Sequence, residues 1–296
     1  MRILVTGAAS GLGAALTSAF RARGDEVLAT ALVSTSSTSE DAGSTSEGAG
    51  STSEGAGSTS EGAGSTTEGG GSTGETSTGQ TGEVRRLDIT SDEEWAAVLA
   101  HVEETWGGLD MLVNNAGVAG GGRLDVATMD EWEWITNINL FGAVRGTRTF
   151  VPMFKRQRSG HIVNVASLAG LVHPAGMASY NAVKAAVVAL TETTGHELAG
   201  YGVRASVVCP SYFRTNLMTS LRGADEELAG LMAHLVQSSR ITADDIAAAV
   251  LDGLDRGEEI IVPDQPARDA YELKRNDRAA YDAVMRAQAA KLDRGV

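Results

Sequence analysis

The chain has one cysteine, Cys209, so it can form no internal disulfide, which fits a reducing compartment. Cys209 itself reads as a small buried residue at a strand end. Aromatic residues make up only 5% of the 296 positions, and no apolar run approaches the ~18 residues a membrane span needs. The N-terminus enters a strand at once (Arg2-Ile3-Leu4-Val5) without the layout of a signal peptide, which predicts a soluble, cytoplasmic protein. Basic residues are outnumbered, 24 Lys and Arg against 38 Asp and Glu, so there is no basic footprint for nucleic acid. The five histidines show no metal-ligand spacing, and no metal is expected. The 42% of hydrophobic residues suffices for one large core.

Much of the net charge of −14 is local. Glu40, Asp41, Glu47, Glu54, Glu61, Glu68, Glu75 and Glu83 lie in a stretch with no Lys or Arg, and leaving them out brings the charge to −6. In the same stretch the heptad GSTSEGA starts at Gly43, recurs at Gly50 and Gly57, and decays from Gly64. No position of the repeat is large and apolar, which excludes a coiled coil. Such a composition cannot bury enough surface to offset chain entropy, so residues 34–83 are predicted to be a disordered insertion. It stands where a crossover helix would follow the second strand, and a tethering role for it is an alternative.

Outside the insertion the pattern alternates strand and helix. Ile3-Leu4-Val5 runs into Thr6-Gly7-Ala8-Ala9-Ser10-Gly11-Leu12-Gly13, then a helix with Leu12, Leu16, Ala19 and Phe20 on one face. Strand, glycine turn and helix N-terminus together suit a diphosphate, because the backbone can approach closely and free N–H donors point outward. The second strand, Val27 to Ala31, ends without the acid that would read a ribose or the base that would read a 2′-phosphate. The lack of any Lys or Arg between Arg23 and Arg85 leans towards NAD over NADP. Ser91-x-x-Glu94, Thr128-x-x-Glu131 and Thr242-x-x-Asp245 mark helix starts. Strands are expected at residues 109–113, 161–167, 203–208 and 259–262. Asn114-Asn115-Ala116-Gly117 closes the first of these, at the crevice end. Residues 211–240 read as a substrate lid and 264–296 as a helical extension packing on the body or on a neighbouring subunit.

The stretch 167–184 carries the chemistry. Tyr180 and Lys184 are one helical turn apart, on one face. A tyrosine titrates near about 10, and a fixed ammonium beside it favours the phenolate; a lowering by roughly 2–3 pH units makes it a usable base at neutral pH. Ser167, 13 positions upstream at a strand end, can reach the same pocket. By itself a Tyr-x-x-x-Lys spacing is also common on helix surfaces.

Taken together, TGAASGLG, NNAG, Asn139 within NINLFG, and Ser167 with Tyr180-x-x-x-Lys184 resemble the classical short-chain dehydrogenase/reductase family over the whole chain outside 34–83. The resemblance implies an α/β fold, a Rossmann-like doubly wound seven-stranded parallel sheet with helices on both faces. It also implies an NAD(P)-dependent oxidoreductase interconverting a secondary alcohol and a ketone, working as a homodimer or homotetramer. By the same resemblance Tyr180 is the general acid/base, Lys184 lowers its pKa, Ser167 holds the substrate oxygen and Asn139 supports a water-linked proton relay to Lys184. Cofactor contacts are implied for Thr6, Gly7, Ser10, Gly11, Leu12, Gly13, Asp88, Ile89, Asn115, Ala116, Gly117, Tyr180, Lys184, Pro210 and Thr215. Ser211 departs from the family's glycine after that proline. His173, Met177, Tyr212 and Phe213 are candidates for the substrate pocket. The alternative on the same fold is a regulatory protein that binds cofactor without turnover.

Overall fold

In the computed structural model, which describes residues 1–32 and 83–292, seven parallel strands form one sheet in the order β3-β2-β1-β4-β5-β6-β7. The predicted insertion at 34–83 lies, but for Glu83, outside the described residues. The strands are β1 (Arg2–Thr6), β2 (Glu26–Ala31), β3 (Val84–Arg86), β4 (Met111–Asn114), β5 (Gly160–Val165), β6 (Val203–Val208) and β7 (Ile260–Ile261). Between and after them run α1 (Gly11–Ala22), α2 (Asp92–Trp106), α3 (Met129–Asn139), α4 (Phe141–Gln157), α5 (Ala169–Val172), α6 (Ala178–Leu198), α7 (Glu226–Ser238), α8 (Ala243–Asp255), α9 (Gln265–Asn276) and α10 (Arg278–Leu292). No helix among the described residues is long and apolar enough to cross a membrane.

Side-chain alternation along the strands sorts the core into two layers. Ile3 and Val5 of β1, Met111 and Val113 of β4 and Val163 of β5 face one side, against Leu16 and Phe20 of α1 and Ile246 and Val250 of α8. Leu4, Leu112 and Ile162 face the other, against Trp95 and Val98 of α2 and Phe150 and Phe154 of α4. Helices therefore cover both faces, as a doubly wound sheet requires. β1 pairs with β2 on one side and β4 on the other, so the order reverses there and a crevice opens at the strands' C-terminal ends.

The cap signals are partly realised. Thr242 and Asp245 form the full reciprocal box of α8. Ser91 and Thr128 accept the N–H of Glu94 and Glu131. The two glutamate side chains, however, reach elsewhere: Glu94 to Asp88 N and Arg86, Glu131 to Ala224 N. No local signal marks the start of α4, because Leu140 precedes it in place of a capping residue and Pro152 lies inside it. β5 ends at Val165, two residues before its predicted end, and this early exit frees Ser167 from the sheet.

His161 on β5 is 3% exposed, and its Nε2 lies 2.9 Å from Ser206 Oγ, which donates to Glu258 O at 2.7 Å. The imidazole therefore donates from Nε2, and its buried Nδ1 has no partner among the described residues. Burial, with the nearby Arg204 charge, pushes its pKa from 6.5 down to about 4. The unfolded chain takes up the proton first as pH falls, so the stabilisation is complete above about 6.5 and is lost towards about 4. Unfolding free energy should drop by about 3 kcal/mol across that window. Chemical denaturation at several pH values checks this, and His161→Gln, which keeps a donor for Ser206, should flatten the slope.

Candidate active site

A cleft of about 610 Å³ opens where the sheet order reverses. Its first wall is the β1–α1 loop, with Gly7 at φ 66° and Gly11 at φ 53°, backbone conformations that glycine adopts without strain. Gly13 lies beneath this loop: a Cβ there would stand 2.2 Å from Gly7 O and 2.5 Å from Asn115 Nδ2. Ser10 precedes α1 without a side-chain cap, and the first turn holds no acid. By contrast α2, α3, α7 and α8 each have a side-chain cap and acids in the first turn. The N–H donors that open α1 are thus left facing the cleft without a protein anion.

Two of the expected contact residues serve from behind. The Thr6 hydroxyl is 2% exposed; it donates to Val113 O and accepts the N–H of Asn115 and Ala116, each at 3.0 Å. The Asn115 side chain donates to Thr6 O at 2.9 Å and Gly7 O at 3.4 Å. Together they clamp the glycine loop to the end of β4. Thr6 and Gly13 do not line the cleft, whereas Gly7, Ser10, Gly11, Leu12, Asp88, Ile89, Asn115, Ala116 and Gly117 do. Asp88 accepts the N–H and hydroxyl of Thr90 at 2.9 and 2.7 Å, which holds its carboxyl below the usual range.

Asn139 holds the neighbouring loop. It is 4% exposed at the end of α3; its Oδ1 accepts Val118 N at 2.8 Å and its Nδ2 donates to Val118 O at 3.0 Å. Its side chain pins the loop after β4.

Ser167, Tyr180 and Lys184 do come together in the cleft. Lys184 Nζ stands 5.7 Å from the Tyr180 ring centroid and donates to Val165 O at 3.1 Å. Burial dominates both groups. It pushes the Tyr180 phenol up to about 12, partly offset by the Ser167 side chain, and pushes Lys184 down to about 8. This corrects the expected lowering of the phenol by the amine. Desolvation of the buried phenol is the largest cause and outweighs the hydrogen bond with Ser167. Cys209 lies behind this pair, 0% exposed, with its thiol pushed up to about 12 by burial. A thiol reagent should therefore label the native protein slowly and the denatured protein completely, as mass spectrometry would show.

The far wall comes from residues 210–236. Pro210 O accepts Leu168 N at 2.9 Å, and Ser211 bonds through its N–H and hydroxyl to the buried Asp264, which also caps α9. Serine in place of glycine thus ties this loop to the C-terminal helices, which pack Tyr281 and Met285 against Leu171, Val172 and Val207. Thr215 approaches the glycine loop closely enough that a Cβ on Gly11 would meet its hydroxyl at 2.7 Å. Ser220 accepts Ala119 N at 3.0 Å. Met177, Tyr212 and Phe213 line the cleft as expected, and His173 does not: its Nδ1 meets Ala169 O at 3.0 Å as it closes α5. Sequence reasoning missed Trp134, Met218, Arg222, Met232 and Val236 as wall residues. They sit at ordinary helical or loop spacings, and only the folding of 211–240 over the crevice brings them in.

A family model described as short chain dehydrogenase matches residues 71–226. The chain belongs to the short-chain dehydrogenase family. Across the family it is 30% identical over 247 residues to a 3-oxoacyl-[acyl-carrier-protein] reductase of Vibrio cholerae, covering 83% of this chain and 86% of the relative. It is 31% identical over 252 residues to a 2-(R)-hydroxypropyl-CoM dehydrogenase of Xanthobacter autotrophicus, covering 84% and 88%. A crystal structure of a short-chain dehydrogenase from Streptomyces avermitilis superposes with a TM-score of 0.69 at 28% identity, covering 99% of this chain and 96% of that one. The glycine loop and the Tyr180–Lys184 pair of this dehydrogenase-family chain therefore sit on a fold shared along nearly its whole length.

Proposed function

We propose that the cleft binds a nicotinamide dinucleotide and interconverts a secondary alcohol and a ketone, with Tyr180 as the general acid/base. The observation that carries this is the convergence of Tyr180, Lys184 and Ser167 in one cleft with an uncapped helix N-terminus and its glycine loop. The residues present fit the cofactor. A Cβ on Gly7 would meet Ala116 Cα at 2.8 Å and one on Gly11 the Thr215 hydroxyl at 2.7 Å, so glycine keeps this loop packed close beside the cleft, and α1 offers unopposed N–H donors to a diphosphate. Gly7, Ser10, Gly11 and Leu12 would hold that diphosphate. Asp88 and Ile89 would face the adenine end, and Ala116, Gly117, Lys184, Pro210 and Thr215 the nicotinamide end. Thr6, Gly13 and Asn115 would act by shaping the loop. Ala31 and Leu32 bring to the cleft neither the acid that would read a ribose nor the base that would read a 2′-phosphate, so the lean to NAD rests on the lack of Lys and Arg between Arg23 and Arg85.

The bound cofactor supplies or accepts a hydride at its nicotinamide ring. In the reducing direction the Tyr180 O–H gives its proton to the ketone oxygen as the carbon gains the hydride, so ketone, hydride and proton yield the alcohol. Ser167 donates a hydrogen bond to the same oxygen, and the Lys184 ammonium offsets the charge left on the phenolate. A phenol at about 12 rests protonated at neutral pH and is poised for reduction. Alcohol oxidation needs the phenolate, so its rate should climb with rising pH while the reduction rate should fall. Residues 211–240 form the substrate lid in this reading, with residues 264–292 bracing it. The test is to follow the nicotinamide absorbance band with NADH and NADPH against a panel of ketones and secondary alcohols. Ketone-dependent loss of the band supports the proposal, and binding of cofactor with no turnover across the panel overturns it.

A further inference from the structure

We infer that the substrate carries an anionic group and that Arg222 receives it; the inference rests on the alcohol–ketone reading above. The side chains lining the cleft include two cations, Lys184 and Arg222, and one carboxylate, Asp88. Asp88 follows β3, with three strands between it and β5, so among the described residues that line the cleft no carboxylate stands at the Tyr180 end. Lys184 is already engaged with Val165 O beside the phenol. Arg222 is free of any carboxylate among the described residues: its guanidinium lies over the Trp134 ring, 5.1 Å from the centroid. In a chain of net charge −14, an arginine without a carboxylate at the mouth of the reacting cleft marks a place for an external anion.

The backbone on either side of the exposed Arg222 is held in place. Leu221 N bonds Met218 O at 3.1 Å before it, and Ala224 N bonds Glu131 Oε1 at 2.9 Å after it. One residue on, Asp225 is 4% exposed and takes three hydrogen bonds from Arg123, from its backbone N, Nε and Nη2, at 2.9, 2.9 and 3.0 Å. Glu131, the acid nearest in this network, is occupied by the backbone of the same segment. Trp134, under the guanidinium, packs in one apolar cluster with Met177, Tyr180 and Met232. An apolar wall thus runs from the reactive phenol to an exposed planar cation, stacked on Trp134, whose fork matches a carboxylate. The substrate class that fits is a hydroxy or oxo acid in which an apolar spacer separates the reacting carbon from the acid.

The experiment compares an aryl-alkyl oxo acid with its methyl ester, by calorimetric binding at saturating NADH and by turnover. The acid should be favoured about tenfold or more in Kd and kcat/KM, the scale of one charge-assisted contact. That ratio should fall close to one in Arg222→Gln, keep an intermediate value in Arg222→Lys, and shrink as salt is raised. Equal turnover of acid and ester overturns the anion site and leaves the oxidoreductase reading intact. Acid-selective binding without turnover of either contradicts the oxidoreductase reading and leaves the anion site standing. A preference that survives in Arg222→Gln overturns the assignment to that residue, and failure of both compounds to bind or react overturns both.

Discussion

Tyr180→Phe is expected to lower turnover by about a thousandfold while changing cofactor affinity less than about threefold, since one general acid contributes roughly 10²–10⁴ in rate. The phenol is enclosed, and the ring keeps its apolar contacts with Met177, Val183 and Met232 when the hydroxyl is removed. The substitution therefore takes away the proton donor and leaves the wall. Lys184→Met should hurt both turnover and cofactor affinity, because its ammonium stands beside the phenol and at the cleft floor. That split between the two variants separates proton transfer from simple binding. Steady-state kinetics with a turned-over ketone, together with a cofactor titration by fluorescence, measures both quantities. A Phe variant that turned over near the wild-type rate would remove Tyr180 from the chemistry.

Gly13→Ala is the second large expectation. Its new Cβ would stand 2.2 Å from the Gly7 carbonyl and 2.5 Å from Asn115 Nδ2, and the first of these is backbone that cannot rotate away. Either α1 shifts from β1 or the Gly7 loop moves into the space meant for the diphosphate. Overpacking of this kind costs about 1–3 kcal/mol. If it is relieved into the loop, NADH affinity should weaken by about tenfold to a hundredfold. Gly24→Ala serves as the comparison, because a Cβ at Gly24 meets nothing within 4 Å, although its φ of 92° brings backbone strain of its own. The Gly24 variant should lose thermal stability without losing cofactor affinity. Equal affinity in the Gly13 variant and the unmodified protein would contradict the crowding argument.

What the sequence disclosed, and what it concealed, follows from which interactions are local. The β1–loop–α1 unit, the Tyr180–Lys184 turn and the capping serine and threonines are set by residues a few positions apart, and the structure has them where the spacing put them. The seven-strand parallel sheet followed from the alternation of short apolar runs with helical ones. α4 stayed hidden because nothing local announces it; Gly146 packs so tightly that a Cβ would meet Asn114 Oδ1 at 2.3 Å, a requirement set by β4 and Trp95. The partners of Thr6 and Asn139 were equally out of reach, since each lies across the fold. The direction of the Tyr180 displacement was misjudged for the same reason. Helical spacing reveals a neighbouring amine, but burial is decided also by α3 and α7, far away in sequence. Arg222 and Trp134, 88 positions apart, become neighbours only when 211–240 folds over the crevice.

Isotope transfer tests the central claim most directly. The protein is incubated with nicotinamide cofactor deuterated at the transferring carbon and a pool of ketones, and the products are examined by mass spectrometry. One deuterium should appear on the carbinol carbon of at least one product alcohol, and none when Tyr180→Phe replaces the wild-type protein. Tight cofactor binding with no deuterium in any product would contradict the account, and would leave the cleft a nucleotide-binding site without hydride chemistry.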